Sequence, residues 1–289
     1  MASPTQDTTG LDVEGLAFPD PITNARRTTP MGFMLDAIRR RPVGRTILSS
    51  LTTILFIAGA GMFTYPFFTD VYTTQILQSR LADELVQIDV DVNTESEWVQ
   101  TVAGQVGRPV TTINIPALEL EMIVVEGTSP DALRAGAGHY PNTPLPGQAG
   151  NVAIAGHRTT YGRPFNRIDE LSEGDFIWLS TPVGDHRYVV ARPDYWDYSK
   201  INPDSAGYIT DPRDWTVIAA PGNESSNSSA PTAGVGGAGA GNGDYWLTLT
   251  TCHPKGSAAQ RLIVRATLGQ SFPPGTYEAR KAQGTLDVA

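Results

Sequence analysis

The sequence predicts a mainly β protein: a closed or nearly closed barrel of short strands with small helical decorations, preceded by a single transmembrane helix. Three observations carry this expectation. From about Val110 onward, short β-type runs recur between turns rich in Gly and Pro. Residues 46–68 contain no charged side chain, and at about 1.5 Å per residue such a run spans a hydrocarbon core of about 30 Å. Arg39, Arg40, Arg41 and Arg45 precede that run and Asp70 follows it, so the N-terminus is expected in the cytoplasm and the bulk of the chain outside the cell membrane.

Taken in order, residues 1–45 read as a cytoplasmic tail, largely disordered, because they are polar and carry little periodic pattern. Residues 46–68 are the anchor. Their Ser and Thr hydroxyls are tolerable because a helix can return them to its own carbonyls. The segment is expected to stay uncleaved: a long stretch precedes it, and bulky Tyr65, Phe67 and Phe68 close it. Residues 69–104 form a juxtamembrane helical spacer, with Val71, Ile76, Leu77, Leu81 and Leu85 at amphipathic spacing, able to pack on the domain that follows.

Residues 105–270 are the barrel. VTTINIP, LELEMIVVEG, NVAIAGH, DFIWLS, HRYVVARPDYW, DWTVIAA, DYWLTLTTC and RLIVRATL read as strands, with TPVGD as a hairpin turn. SPDALRAG reads as a short helix capped by Ser129 with Pro130 at its first position, and a helical turn is expected around 165–171. Residues 221–243, almost all Gly, Ala, Ser, Asn and Pro, form a flexible loop ahead of the last two strands. Residues 271–289 are a polar, loosely held tail.

The net charge of −9, from 21 basic and 30 acidic residues, leaves no basic excess for a nucleic-acid face. A single cysteine excludes an intramolecular disulfide and a multi-thiolate metal site. Neither a cofactor nor a metal is expected, and no carboxylate cluster argues for calcium.

That cysteine, Cys252, ends an alternating strand and precedes the loop sequence His253-Pro254-Lys255-Gly256. A nucleophile there is held from behind and open in front. It needs a proton-exchanging partner and an oxyanion stabiliser. Of the four histidines, His139 lies in a Pro/Gly-rich loop, His186 begins a hairpin strand and faces solvent, and His253 points to the opposite face from its neighbour Cys252. His157 ends a strand as Cys252 does, which favours it without closing the question. Arg261 opens the next strand and can reach the same rim; Arg265, deeper on the same face, is the second choice.

These blocks resemble the sortase family. Thr248-Leu249-Thr250-Thr251-Cys252 is similar to its T-L-x-T-C signature, Arg261 to its essential arginine, and Asn151 to Arg158 (N-V-A-I-A-G-H-R) to the segment bearing its catalytic histidine, all in the family's order across roughly residues 105–270. The stretch from His157 to Phe165 and the ending T-L-T-T-C-H-P look most like the class E sortases of actinobacteria. The resemblance implies a sortase-like barrel and a cysteine transpeptidase with His157, Cys252 and Arg261 catalytic. It implies cleavage of a C-terminal sorting signal, L-A-x-T-G or L-P-x-T-G, between Thr and Gly through a thioacyl intermediate. The partners implied are secreted proteins bearing that signal and a cell-wall precursor amine. Tyr161 and Thr251 are implied as shaping the pocket for Ala at the second signal position. No pilin-polymerising lid motif is present, and the Gly/Ala loop departs from the family. The competing expectations are a membrane-tethered cysteine protease releasing hydrolysed product and a non-enzymatic wall-binding β-domain.

Overall fold

A computed structural model describes residue 31 and residues 42–192, 206–219 and 245–286 of the chain. The expected disordered tail up to residue 41 (residue 31 apart) and the expected flexible loop at 221–243 lie outside the described residues. The chain divides into two compact units, Met1–Met62 and Phe63–Ala289.

In the first unit, the described residues from Pro42 onward belong to helix α1 (Pro42–Asp91). Its large apolar side chains, among them Leu51, Ile54, Phe56 and Met62, are exposed. Its hydroxyls turn back as expected: Ser49 donates to Thr46 O at 2.9 Å and Thr53 to Ser49 O at 2.8 Å. Among the described residues, no helix is long and apolar enough to cross a membrane.

In the second unit, nine strands form one sheet among the described residues: β1 (Pro109–Ile115), β2 (Leu120–Glu126), β3 (Ala137–His139), β4 (Gly150–Gly156), β5 (Phe176–Thr181), β6 (Gly184–Val190), β7 (Tyr208–Thr210), β8 (Tyr245–His253) and β9 (Gln260–Phe272). The order is β6-β5-β1-β2-β3-β4-β8-β9-β7, and pairing of β6 with β9 closes the first eight into a barrel with β7 as an outer flap on β9. The pairs β2–β3 and β4–β8 are parallel. The barrel interior is filled by Ile113, Val124, Ile154, Leu179, Leu249 and Val264, each fully buried. Burial of such a side chain stabilises by about 1.5–3 kcal/mol, and strands such as β4 (Gly150–Gly156) are buried along their whole length.

The short helix after β2 forms as the sequence suggests: α3 (Pro130–Leu133) carries Pro at its start, and Ser129 Oγ accepts from the Ala132 N–H at 3.3 Å. The second helical segment, α2 (Glu95–Val102), starts with a reciprocal capping box between Thr94 and Glu97. The C-terminal half of α1 packs on the barrel rather than standing clear of it. Leu77, Leu81 and Leu85 meet Ile123, Val125, Ala132 and Ala135. The Gln78 amide clamps the β2 edge, donating to Ile123 O and Ala135 O while accepting from Ile123 N–H.

Three local expectations are corrected. DWTVIAA is a 3-10 turn (Trp215–Ile218), not a strand. Asp214 caps it by accepting from Thr216, and the Asn151 amide holds its carbonyls, Val217 O at 3.2 Å and Ala219 O at 2.9 Å. Local side-chain capping here outweighs β propensity. The polar C-terminal segment is held, not loose: β9 runs on to Phe272, and α4 (Thr276–Gln283) buries Tyr277, whose N–H donates to the buried Asp185 carboxylate at 2.8 Å. His139 sits in a strand, not a loop.

Candidate active site

The parallel register of β4 on β8 pairs Ala155 with Thr250. One residue on, Thr251 Oγ1 donates to Gly156 O at 2.7 Å. Continued by one more residue, that register sets His157 beside Cys252. On the other side of β8, the antiparallel register pairs Cys252 with Arg261. Three chemistry-bearing residues from three distant sequence blocks thus share one barrel rim. The Cys252 thiol is free and half-buried. Arg261 Nη1 approaches its sulfur at 3.7 Å and also donates to Ala258 O at 3.3 Å and Gln260 O at 3.2 Å. A guanidinium whose Nη1 is shared between the thiol and two backbone carbonyls is placed for charge that develops beside the sulfur.

The structure separates His157 from the other three histidines. His139 is buried, its Nδ1 2.7 Å from Glu126 Oε2 and its Nε2 3.0 Å from both Pro144 O and Thr143 Oγ1. It forms the saturated floor of a cavity of about 770 Å³, whose walls include none of the three rim residues. His186 is half-buried rather than solvent-facing. It binds Ser271 Oγ at 2.9 Å, ten residues along β9 from Arg261, or about 33 Å at strand rise. His253 is pinned: Arg158 Nη1 lies 2.9 Å from its Nδ1. A guanidinium only donates, so His253 Nδ1 is bare and the ring is neutral with its proton on Nε2. Burial and the Arg158 charge both hold its pKa below the usual imidazole value. His157 remains. Its pKa is also lowered by burial, and the Asp70 carboxylate opposes that shift.

The Tyr161 ring leans on His157, with centroids 4.9 Å apart at 50°. Thr251 is buried and its hydroxyl donates to Gly156 O, so it fastens β8 to β4 next to the reacting group. Arg265, the second-choice arginine, is fully buried, donates to Val217 O at 2.8 Å, and takes no part in the rim.

Two residues were not singled out from the sequence. Tyr140 donates to or accepts from Thr250 Oγ1 at 3.0 Å. Burial raises its phenol pKa, while the Arg261 charge lowers it and the Cys252 charge raises it, which places it in the same electrostatic neighbourhood. Arg158 is buried, bonded to Cys252 O at 3.3 Å and to His253, and paired with Asp169 at 2.9 Å. Its position directly after His157 was the available signal; Tyr140 had none in spacing. Among the described residues no group of three His, Cys, Asp or Glu side chains is placed to hold a metal ion.

Comparison with known proteins identifies the family of the barrel. The family model described as "Sortase domain" matches residues 113–269, more than half of the chain. The chain is 30% identical over 142 residues to Sortase D of Bacillus subtilis strain 168, covering 48% of this chain and 70% of that protein. It is 29% identical over 192 residues to Sortase SrtE1 of Streptomyces coelicolor, covering 63% of this chain and 47% of that protein. Among solved structures, sortase E from Streptomyces avermitilis is similar at 33% identity and a TM-score of 0.46, covering 63% of this chain and 99% of that one. With one thiol, one arginine paired to it across a ladder and a family model spanning the barrel that holds them, the chain belongs to the sortase family of cysteine transpeptidases.

Proposed function

We propose that this chain is a membrane-anchored extracytoplasmic transpeptidase. It cleaves a C-terminal sorting signal of the L-A-x-T-G or L-P-x-T-G type between Thr and Gly and joins the new Thr carboxyl group to a cell-wall amine. The observation that carries the reading is the Cys252–Arg261 pair, 3.7 Å apart on a rim that His157 shares by register. The Cys252 thiolate attacks the Thr carbonyl carbon, and Arg261 stabilises the tetrahedral oxyanion. Protonated His157 donates to the departing Gly nitrogen as the C–N bond breaks, leaving a thioester on Cys252. A second amine then attacks the thioester, His157 takes its proton, and the thiolate leaves.

Tyr161, against His157, supports a pocket wall at the signal's second residue. A Tyr hydroxyl can accept from the backbone N–H that Ala has and Pro lacks. Residues 46–68 serve as the anchor, with the N-terminus cytoplasmic. The support is their lack of charge and the exposure of Leu51, Ile54, Leu55, Phe56 and Ile57.

The test is intact-mass spectrometry of the full chain in detergent micelles, mixed with an L-A-x-T-G peptide and an amine acceptor. A thioacyl adduct on the wild type, absent in Cys252→Ala, with an amide-linked product, is the expected result. An adduct that yields only acid would replace the transpeptidase with a protease. No adduct from this peptide or from its L-P-x-T-G counterpart, on folded protein, would remove the reading.

A further inference from the structure

Asp70 lies outside the barrel, on α1, yet it reaches the loop that carries His157. Its Oδ1 accepts the Tyr161 N–H at 2.6 Å. Tyr161 sits at φ +50°, in the left-handed region that a bulky residue adopts only when its surroundings impose it. The bond to Asp70 is such an imposition. In that conformation the Tyr161 ring rests on His157 at 4.9 Å.

The contact is built by more than one bond. Gly162, the next residue, has φ +72°, and a Cβ there would come within 2.7 Å of Thr74 Cγ2. Thr74 is one helical turn after Asp70 and is buried. Gln78, one turn further, clamps β2 as described, and Leu81, Leu85 and Ile88 continue the same stripe. One face of α1 therefore docks on the domain along its length, with the carboxylate at the end that meets the His157 loop.

We propose that Asp70 is a positioning residue for His157: α1 supplies, from outside the barrel, the carboxylate that sets the 157–162 turn and holds the imidazole ring in its working place and charge state. The inference rests on His157 being the proton-transfer group of the proposed reaction. The charged and titratable groups of its own loop are Arg158, Tyr161 and Arg163, with Arg158 paired to Asp169 at 2.9 Å; Cys252 and Arg261 face each other on β8 and β9, and Asp70 comes from α1. Among these charges it is the Asp70 carboxylate whose field acts on His157. Its charge opposes the desolvation that disfavours the imidazolium, which is the form that must donate to the leaving amine. Asp70 also follows the end of the proposed anchor by two residues.

The test uses the full chain in detergent micelles with two variants. Asp70→Asn keeps an acceptor for the Tyr161 N–H and removes the charge; Asp70→Ala removes both. The His157 Cε1–H resonance, assigned by its loss in His157→Gln, is followed against pH by NMR. In Asp70→Asn the midpoint is expected to fall by about 0.5–1 pH unit. In Asp70→Ala, kcat for signal-peptide cleavage at neutral pH is expected to fall about tenfold with KM within about twofold, as for a displaced proton donor. A His157 midpoint in Asp70→Asn within about 0.1 unit of the wild type, against the shift a nearby charge should cause, overturns the proposal whatever the activity does. If the wild type cleaves no signal peptide, the functional reading fails on its own, while the titration still decides the role of Asp70.

Discussion

Cys252 and Arg261 are direct partners across the β8–β9 ladder, and the arginine Nη1 lies 3.7 Å from the thiol sulfur. Because the pair is set by strand register, its geometry needs no loop movement to form. Arg261→Ala is expected to lower kcat/KM for signal-peptide cleavage by about 10²–10³. Arg261→Lys should recover only part of this, since an ammonium lacks the planar fork of further N–H donors that a guanidinium can turn to the oxyanion. Steady-state kinetics on the two variants decide it; full activity in Arg261→Ala would remove the guanidinium from the reaction.

Cys252→Ala should abolish covalent capture of the peptide while leaving the fold intact. The side chain is half-buried and its loss opens no sealed cavity, so the stability change is expected to stay within about 1 kcal/mol. Intact mass and urea denaturation, run in parallel, check the two halves of this statement.

Arg158 is a buried cation whose partners are Asp169, the Cys252 carbonyl and His253. Arg158→Met strands those acceptors and is expected to destabilise the domain by about 3 kcal/mol, the lower end for breaking a buried pair, because Asp169 is about a third exposed. It should also raise the titration midpoint of His253, since the Arg158 charge helps keep that ring neutral. Denaturation midpoints and a His253 NMR titration read these separately. An unmoved His253 would show that the guanidinium does not set its state.

The pKa values of His157, His186 and His253 are all lowered in the folded chain, in each case first by burial. The unfolded chain binds protons at these sites near the ordinary value of about 6.5, where the folded chain does not. Stability is therefore expected to be fully present above about pH 6.5 and to fall as pH drops below it. Urea midpoints between about pH 8 and pH 5.5 should show that slope, and His186→Gln should flatten it. A profile that is level across this window would contradict the three burial shifts together.

Some of this protein was legible in one dimension. Short β-type runs between Gly- and Pro-rich turns mark VTTINIP, NVAIAGH, DFIWLS and YWLTLTTC as strands, and the structure has strands at all four. A single cysteine at a strand end made the nucleophile a short search, and the ordered His157, Cys252 and Arg261 blocks carried the family. The sequence signals at Ser129 and Pro130 placed α3 for the same local reason: capping needs only residues a few positions apart.

What sequence could not reach depends on contacts between residues distant along the chain. The four histidines were separable only when register, burial and partners were known: Glu126 for His139, Ser271 for His186, Arg158 for His253. The Thr251 hydroxyl is joined to Gly156, 95 residues away, and Tyr140 entered the site through Thr250, 110 residues away. The reach of Asp70 to Tyr161, 91 residues on, belongs to the same class. Local alternation and motif spacing determine which residues can face one rim. Closure of the barrel and docking of α1 decide which of them meet, because those pairings are made by packing, and packing is not written in any short stretch of the chain.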